Sequence, residues 1–371
     1  MRGLFPALCI LTLVIAACQP KSEKHQGDFT VQVNLKGVDT LIFERIEAKD
    51  LRLVDTLFTK EGEFIATDTL NGSGFFLLRT PQGDGINLLI EKGEAVSITG
   101  DSTDWVENNR IKGSIGSALT SDLQKKLIDF ETKIDLIYEE AKYAQKEDFI
   151  ALQNRFNTNL EEHTDYLKSV IDSNPESKIS VLALFQTLKG ETILNIYEDF
   201  DYYEKVEKQF QLKWPESSHS KILSEITKTA FAPNFTMNDI NGDSFSLSKL
   251  DGKVVLLDFW ASWCRPCRVA NPKVVKLYNK YHAKGLEIVG ISLDGNPRQN
   301  NPVEDWVNAV KEDQLPWIHV SDLKGWETEI RNSYNFRSIP HTVLLDTNRR
   351  ILGENLSFEI LDRKIAERLN P

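Results

Sequence analysis

Cys264 and Cys267 stand three residues apart, between the apolar run Val254-Val255-Leu256-Leu257 and a helical pattern that reaches about Lys284. No other feature constrains the chain as much, because the elements around this pair must bring two sulfurs to one helix start. Residues i and i+3 on a helix lie about 5–6 Å apart, inside the Cα separation that a disulfide accepts. The pair can therefore close and open with little backbone motion. At the helix N-terminus Cys264 meets unpaired backbone N–H groups and the positive end of the dipole, which favour thiolate over thiol. Pro266 suits the first helical turn, where no donor is lost.

The rest of the composition limits what those sulfurs can be for. Only Cys9 and Cys18 accompany them in 371 residues, so a disulfide scaffold is excluded. A content of 41% hydrophobic and 27% charged residues is that of a globular protein, and the length suggests two or three domains. The net charge of −11 is a poor match to nucleic acid, which is bound through a basic footprint. Arg2 and the apolar run Leu4 to Ala17 read as a signal peptide over 1–17, too short to span a bilayer. Ile15-Ala16-Ala17-Cys18 resembles the lipobox of bacterial lipoproteins, which implies that Cys18 is lipidated and that 18–27 form a tether. The expected location is the cell envelope, on the periplasmic or surface side, anchored to a membrane by lipid. Cys9 leaves with the signal and Cys18 carries lipid, so Cys264 and Cys267 remain as a pair in an oxidising compartment. A dithiol kept there should have a redox task or a metal.

Residues 28–113 read as a β-rich domain. Thr30 to Leu35, Gly62 to Ile65, Phe75 to Leu78 and Ile86 to Ile90 alternate between turns rich in Gly and Asp. Asp-Thr-Leu recurs at 39–41, 55–57 and 68–70 and is expected to mark strand starts in a meander, though it also resembles a short O-glycosylation signal. Residues 114–230 read as a helical region. Leu123, Leu127, Phe130, Ile134, Ile137 and Ala141 form one apolar stripe; Phe149, Leu152, Phe156, Leu160, His163 and Leu167 form another. His163 on that stripe reads as a satisfied core histidine. Asn174-Pro175 should end this helix, and more helix is expected over Ile179 to Leu188 and Tyr197 to Leu212. Residues 231–371 hold 18 basic and 18 acidic residues, so all the net acidity lies before them.

Ala232-Pro233-Asn234-Phe235 opens the last domain, and a hairpin-like stretch with Asn241-Gly242-Asp243 follows. The run from Val254 suits a central strand buried on both faces. Leu286 to Leu293 reads as a second strand, followed by a helix around Trp306, a strand Trp317 to Val320 and a short helix. A hairpin of Thr342 to Leu345 with Ile351-Leu352 completes the order. Strand–helix alternation with a dithiol at the first helix start is the thioredoxin layout. Three motifs carry a closer resemblance: Ala232-Pro233-Asn234-Phe235, the segment Asp258-Phe259-Trp260-Ala261-Ser262-Trp263-Cys264-Arg265-Pro266-Cys267, and Ser338-Ile339-Pro340. Through them, and through an extra strand–helix piece at about 290–316, residues 231–371 resemble the TlpA/ResA-like thiol–disulfide oxidoreductases of the envelope. The expected fold is multidomain: a C-terminal α/β thioredoxin-like fold preceded by a β-rich domain and a helical region. The front half is similar in arrangement to Bacteroidetes lipoproteins that carry an uncharacterised domain before a thioredoxin unit.

The resemblance implies roles. Cys264 and Cys267 become the redox pair, with Trp263, Arg265 and Pro266 supporting them. Asp258 matches the buried acid that assists proton transfer at the second cysteine, and desolvation would fit it for that task. Ile339-Pro340 matches a cis-proline loop that pairs with an extended substrate peptide. One departure stands out: Ala270 occupies the position where the group often has Glu, which would leave proton management to Asp258. Lys273, Lys276, Lys280 and Lys284 read as a solvated face, whereas Arg265 and Arg268 oppose the helix dipole and need an anionic partner, a thiolate or a target. Arg265 is expected to lower the Cys264 pKa. His341 is either a half-buried strand residue or a tuner of substrate choice and pH response.

The function expected is reduction of disulfides in substrate proteins, with no cofactor, fed by a membrane-bound electron donor. Zinc would need ligands beyond this pair, and no His-x₃₋₅-His occurs. A thiol peroxidase competes weakly, because its Pro-x-x-x-Thr-x-x-Cys pattern would need residues that Leu257 and Ala261 replace. The remaining alternative is a lipid-anchored binding or interaction protein whose N-terminal domains carry the main role.

Overall fold

The computed structural model describes residues 27–47, 50–58, 62–70, 72–101 and 103–369. The expected signal segment, Cys9, Cys18 and the expected tether as far as 26 lie outside the described residues. Among the described residues, no helix is long and apolar enough to cross a membrane. Contacts divide the chain into two compact units that meet in sequence at Lys125 and Lys126.

The first unit is built from short alternating strands. β1 (Thr30–Lys36), β4 (Glu63–Ala66), β7 (Ala95–Asp101) and β8 (Arg110–Lys112) form one sheet, in the order β4-β1-β7-β8. β2 (Thr40–Ile46), β3 (Leu51–Phe58), β5 (Ser73–Arg79) and β6 (Gly85–Glu91) form the other, in the order β3-β2-β5-β6. A single turn, α1 (Trp105–Asn108), precedes β8. Both sheets feed one core: Val31, Val33 and Leu35 from β1 meet Phe43, Phe76 and Leu88 from the opposite sheet. The strict exposed–buried alternation of β1 is the pattern of a sheet with one solvated face. Of the three Asp-Thr-Leu repeats, only the first starts a strand. Asp55 to Leu57 lie near the end of β3, and Asp68 to Leu70 lie between β4 and β5, where Asp68 pairs with Arg45 and Arg52 at 2.7 and 2.8 Å.

α2 (Ile115–Ala141) begins in this unit and continues past Lys125 into the next. Ser114 and Ser117 hydroxyls donate to the Leu89 carbonyl at 3.2 and 2.9 Å, and Gln124 Nε2 donates to the Gly85 carbonyl at 2.9 Å. These bonds hold the first helical turns to β6.

In the second unit, α3 (Phe149–Ser173) packs its stripe against the end of α2 through Phe130, Ile134, Ile137 and Leu152. Phe149 is exposed at the helix start and does not join that stripe. His163 is buried, stacked on Phe130 at 4.4 Å, with Nε2 2.6 Å from Gln186 Oε1. Helix stops at α4 (Lys178–Leu184) rather than running to Leu188. Lys189 and Gly190, both at positive φ, turn the chain into a small hairpin of β9 (Thr187–Leu188) and β10 (Glu191–Thr192). α5 (Phe200–Lys213) and α6 (Ser218–Thr229) complete the helical part.

The remaining strands are β11 (Thr236–Asp239), β12 (Ser244–Ser246), β13 (Val254–Trp260), β14 (Leu286–Ser292), β15 (Ile318–Ser321), β16 (His341–Leu345) and β17 (Ile351–Glu354). They form one seven-stranded sheet in the order β12-β11-β15-β14-β13-β16-β17. β13 is buried at every residue, as its apolar run Val254 to Leu257 leads one to expect, and pairs parallel with β14 and antiparallel with β16. α7 (Arg265–Tyr281), α8 (Pro302–Glu312), α9 (Ile330–Ser333) and α10 (Phe358–Leu369) connect and flank these strands. The helical part and the sheet share one compact unit. Phe231 bridges to Arg350, Ile351 N–H donates to the Ala230 carbonyl at 2.7 Å, and Arg350 covers the Phe200 ring.

Candidate active site

β13 ends at Trp260, and the chain turns through Ala261 to Trp263 before α7 begins. Cys264 is the N-cap of α7 and is disulfide-bonded to Cys267, with the Cα atoms 5.3 Å apart. Cys267 N–H donates to Cys264 Sγ at 3.2 Å, so the first sulfur receives one of the helix's unpaired donors. Pro266 lies in the first turn, as its missing N–H allows. The cysteines are only 4% and 2% exposed, but Trp263, Arg265, Pro266 and Val269 around the helix start are exposed.

A buried carboxylate fixes the loop before the dithiol. Asp294, just beyond β14, accepts from Ser262 N–H at 3.0 Å, from the Ser262 hydroxyl, from the Ser292 hydroxyl at 2.5 Å and from Gln299 Nε2 at 2.6 Å. Four donors on one carboxylate hold the Cys264 loop against the end of β14. The sequence signal was a lone acid closing an apolar strand; nothing local tied it to Ser262.

Arg268 finds its anionic partners in the protein itself. Its guanidinium grips Asp313 with Nε and with Nη2 at 2.8 Å, and Nη2 also reaches Glu312 at 2.9 Å. Asn271 donates to the same Asp313 carboxylate at 2.6 Å. The carboxylates at the C-terminal end of α8 therefore offset the Arg268 charge, rather than a thiolate or a target. Arg265 differs: it is exposed, with no ion pair or hydrogen bond among the described residues. Of the expected lysine face, Lys273 lies over the Phe358 ring and Lys280 pairs with Asp362 at 2.7 Å, so α10 takes up part of it. Arg268 is thus neutralised within the protein, so the expected effect of Arg265 on Cys264 can be tested by itself. Arg265→Ala should raise the Cys264 pKa in the reduced protein by about half to one unit, read from the pH dependence of iodoacetamide alkylation. An unchanged midpoint would remove Arg265 from the account.

Asp258 sits within β13, opposite Gly290 of β14 and Thr342 of β16. It is buried, and burial alone pushes its carboxyl up to about 7. Neighbouring side chains identify the face it occupies. A Cβ on Gly290 would stand 2.6 Å from His319 Nδ1 and 3.1 Å from Trp260 Nε1. His319 contacts the Trp260 and Trp317 rings, and Trp317 contacts Tyr278 of α7. Asp258 shares this face with Gly290 and Trp260. It therefore lies on the side of the sheet that α7 covers, the helix that carries both cysteines. Burial also pushes His319 down, to about 4, so the ring is neutral near pH 7.

The Ile339–Pro340 peptide bond is cis, and Pro340 leads directly into β16. His341 pairs with Phe259, so Pro340 and the Cys264 loop emerge at the same end of two adjacent strands. Cys264, Cys267, Asp258, Trp263, Arg265, Pro266, Ile339 and Pro340 thus belong to one end and one side of the sheet, or to its immediate border. Among the described residues, no group of three or more His, Cys, Asp or Glu is gathered as metal ligands.

The AhpC/TSA family matches this chain over residues 229–353. The thiol-disulfide oxidoreductase ResA of Bacillus cereus is 35% identical over 127 residues, covering 33% of this chain and 68% of that protein. The thioredoxin-like protein YneN of Bacillus subtilis is 34% identical over 129 residues, covering 35% and 71%. A solved thioredoxin domain of a thiol-disulfide oxidoreductase from Bacteroides vulgatus aligns at 34% identity with a TM-score of 0.34, covering 38% of this chain and 96% of that one. The chain spans about two thirds of the length of the curated relatives it matches.

Proposed function

The chain belongs to the family of the ResA thiol–disulfide oxidoreductases, and on that footing we propose that it reduces disulfides of substrate proteins through Cys264 and Cys267. The closed Cys264–Cys267 bond at the N-cap of α7 carries this reading. It is the oxidised end state of the cycle. In the reduced protein the Cys264 thiolate attacks one sulfur of the substrate disulfide. A mixed disulfide forms and the other substrate sulfur leaves as a thiolate. Asp258 accepts the proton of the Cys267 thiol, and the Cys267 thiolate attacks Cys264 Sγ. The second substrate thiol is released and the intramolecular bond closes. The substrate gains two electrons and the Cys264–Cys267 pair loses them. A membrane-bound dithiol donor returns them for the next turnover.

Supporting residues fall into place around that exchange. Arg265 favours the attacking thiolate, Trp263 and Pro340 present the exposed border to a peptide, and the Ile339 backbone offers it a strand-like edge. Cys18, with the apolar run before it, supports a lipid tether and an envelope location, where a disulfide-bearing substrate is met.

The AhpC/TSA match favours a second reading, a thiol peroxidase. Ala261 and Leu257 oppose it: buried Ala261 supplies no hydroxyl where that pattern has Thr, and buried Leu257 stands where it has Pro. One assay separates the two. Mixing the reduced protein with insulin should consume one substrate disulfide for each Cys264–Cys267 bond formed, with little turnover of hydrogen peroxide. Rapid peroxide consumption with insulin left intact would favour the peroxidase.

A further inference from the structure

His341 follows cis-Pro340, and its ring lies buried against Phe336, with centroids 5.2 Å apart, and against Phe259 at 5.6 Å. Its tautomer is dictated by a neighbour. Thr342 N–H donates to Asn355 Oδ1 at 3.0 Å, and Asn355 N–H donates to the Thr342 carbonyl at 2.9 Å. The Asn355 amide is therefore oriented with Nδ2 toward His341 Nδ1, 2.9 Å away. Because Nδ2 can only donate, Nδ1 must accept, and the ring hydrogen sits on Nε2. Nε2 stands 3.6 Å from Glu354 Oε2, short of a hydrogen bond. The other Glu354 oxygen accepts from the Tyr197 hydroxyl at 3.1 Å. Tyr197 belongs to the segment before α5 and packs, partly buried, against the hydrophobic core of the seven-stranded sheet. Burial pushes its phenol up to about 12, so it stays a donor at every physiological pH.

Protonating His341 would place a second N–H at Nδ1, facing the Asn355 amide donors. Asn355 cannot turn to accept it without setting Nδ2 against the Thr342 N–H. Acid therefore opens the latch that holds β16 where it leaves Pro340. The groups around the ring are Phe259 from β13, Phe336 from the segment after α9, Glu354 and Asn355 from the end of β17, and Tyr197 behind Glu354. Asp258, beside Phe259, lies on the opposite face of β13. Burial disfavours the charged ring, and Glu354 is the charge that favours it.

We propose that Tyr197 and Glu354 are positioning residues for His341. Through one hydrogen bond the helical part would then set the pH below which the cis-Pro340 edge no longer receives substrate. The inference rests on the exchange reaction proposed above and names a pH control within it. The Tyr197 hydroxyl holds Glu354 just out of reach of Nε2.

The test uses two conservative variants with opposite expected signs. In Tyr197→Phe, Glu354 is released toward His341, and the ring should protonate about half to one pH unit higher. In Glu354→Gln the charge is lost, and the midpoint should fall. Two readouts are needed: an NMR titration of the His341 ring, and the acid limb of kcat/KM for insulin reduction between pH 4.5 and 8. Shifts of opposite sign, matched in both readouts, support the proposal. It is overturned by equal midpoints in all three proteins, by shifts of the same sign, or by a ring titration that moves while the acid limb stays. Should Tyr197→Phe fail to fold, Glu354→Gln and wild type still give a signed difference. A wild-type protein that exchanges no disulfide at any pH defeats the reaction itself, whereas the ring titration still reads the relay separately.

Discussion

Asp258→Asn slows the release of substrate from the mixed disulfide by about 10²–10⁴-fold at pH 7, while formation of that intermediate changes little. The reason is the location of the acid. It is buried on the α7 side of the sheet and titrates near neutrality, so it can take a proton at the pH where exchange runs. Asparagine preserves shape and loses the proton acceptor. Stopped-flow measurement of the two steps separates them; an unchanged second step would take Asp258 out of the mechanism.

The same substitution has a thermodynamic signature. A carboxyl whose folded pKa is raised from 3.8 to about 7 binds its proton more tightly in the folded state than in the unfolded one. Its contribution to stability is complete below about pH 4 and is lost as pH rises through 7. The loss is at most about 4 kcal/mol, at roughly 1.4 kcal/mol per unit. Asp258→Asn should remove that decline. Urea unfolding of the oxidised protein at pH 5 and pH 8 should differ more in wild type than in the variant. Equal differences would mean that the carboxyl is better solvated than its surroundings indicate.

The second large effect concerns the sulfurs. Cys264→Ser should lower insulin reduction by at least about 10³-fold, because a hydroxyl at the helix start is neither ionised nor able to form the mixed disulfide. Cys267→Ser should also abolish turnover, but for a different reason: Cys264 still attacks and nothing then displaces the substrate. The two variants share a phenotype in turnover and differ in the species that accumulates.

Much of this was legible in the residues. The dithiol spacing, Pro266 and the unbroken run from Val254 located the helix start and the central strand, because these are local consequences of periodicity and capping. Asp258 stood out as an acid inside an apolar strand. What the sequence could not reveal were partners brought together by topology. Asp313 reaches Arg268 across 45 residues, Asp294 reaches Ser262 across 32, and Tyr197 reaches Glu354 across 157. A lone charged residue in a sequence does not name its counter-ion. Very short elements were also lost: Thr187 and Leu188 read as the end of a helix because the turn that follows them is set by positive φ at Lys189 and Gly190 rather than by any apolar period. α6, with Leu223 and Thr227 buried on a largely polar helix, offered too narrow a stripe to announce itself.

Peptide mapping of covalent adducts tests the central claim most directly. Reduced Cys267→Ser protein, mixed with an oxidised protein substrate and quenched with acid, should yield a mixed disulfide linked through Cys264, and Cys264→Ser should yield almost none. Adducts formed equally through either cysteine, or no adduct in Cys267→Ser although both thiols are reduced and the fold is intact, would contradict a mechanism in which Cys264 strikes first and Cys267 completes the exchange.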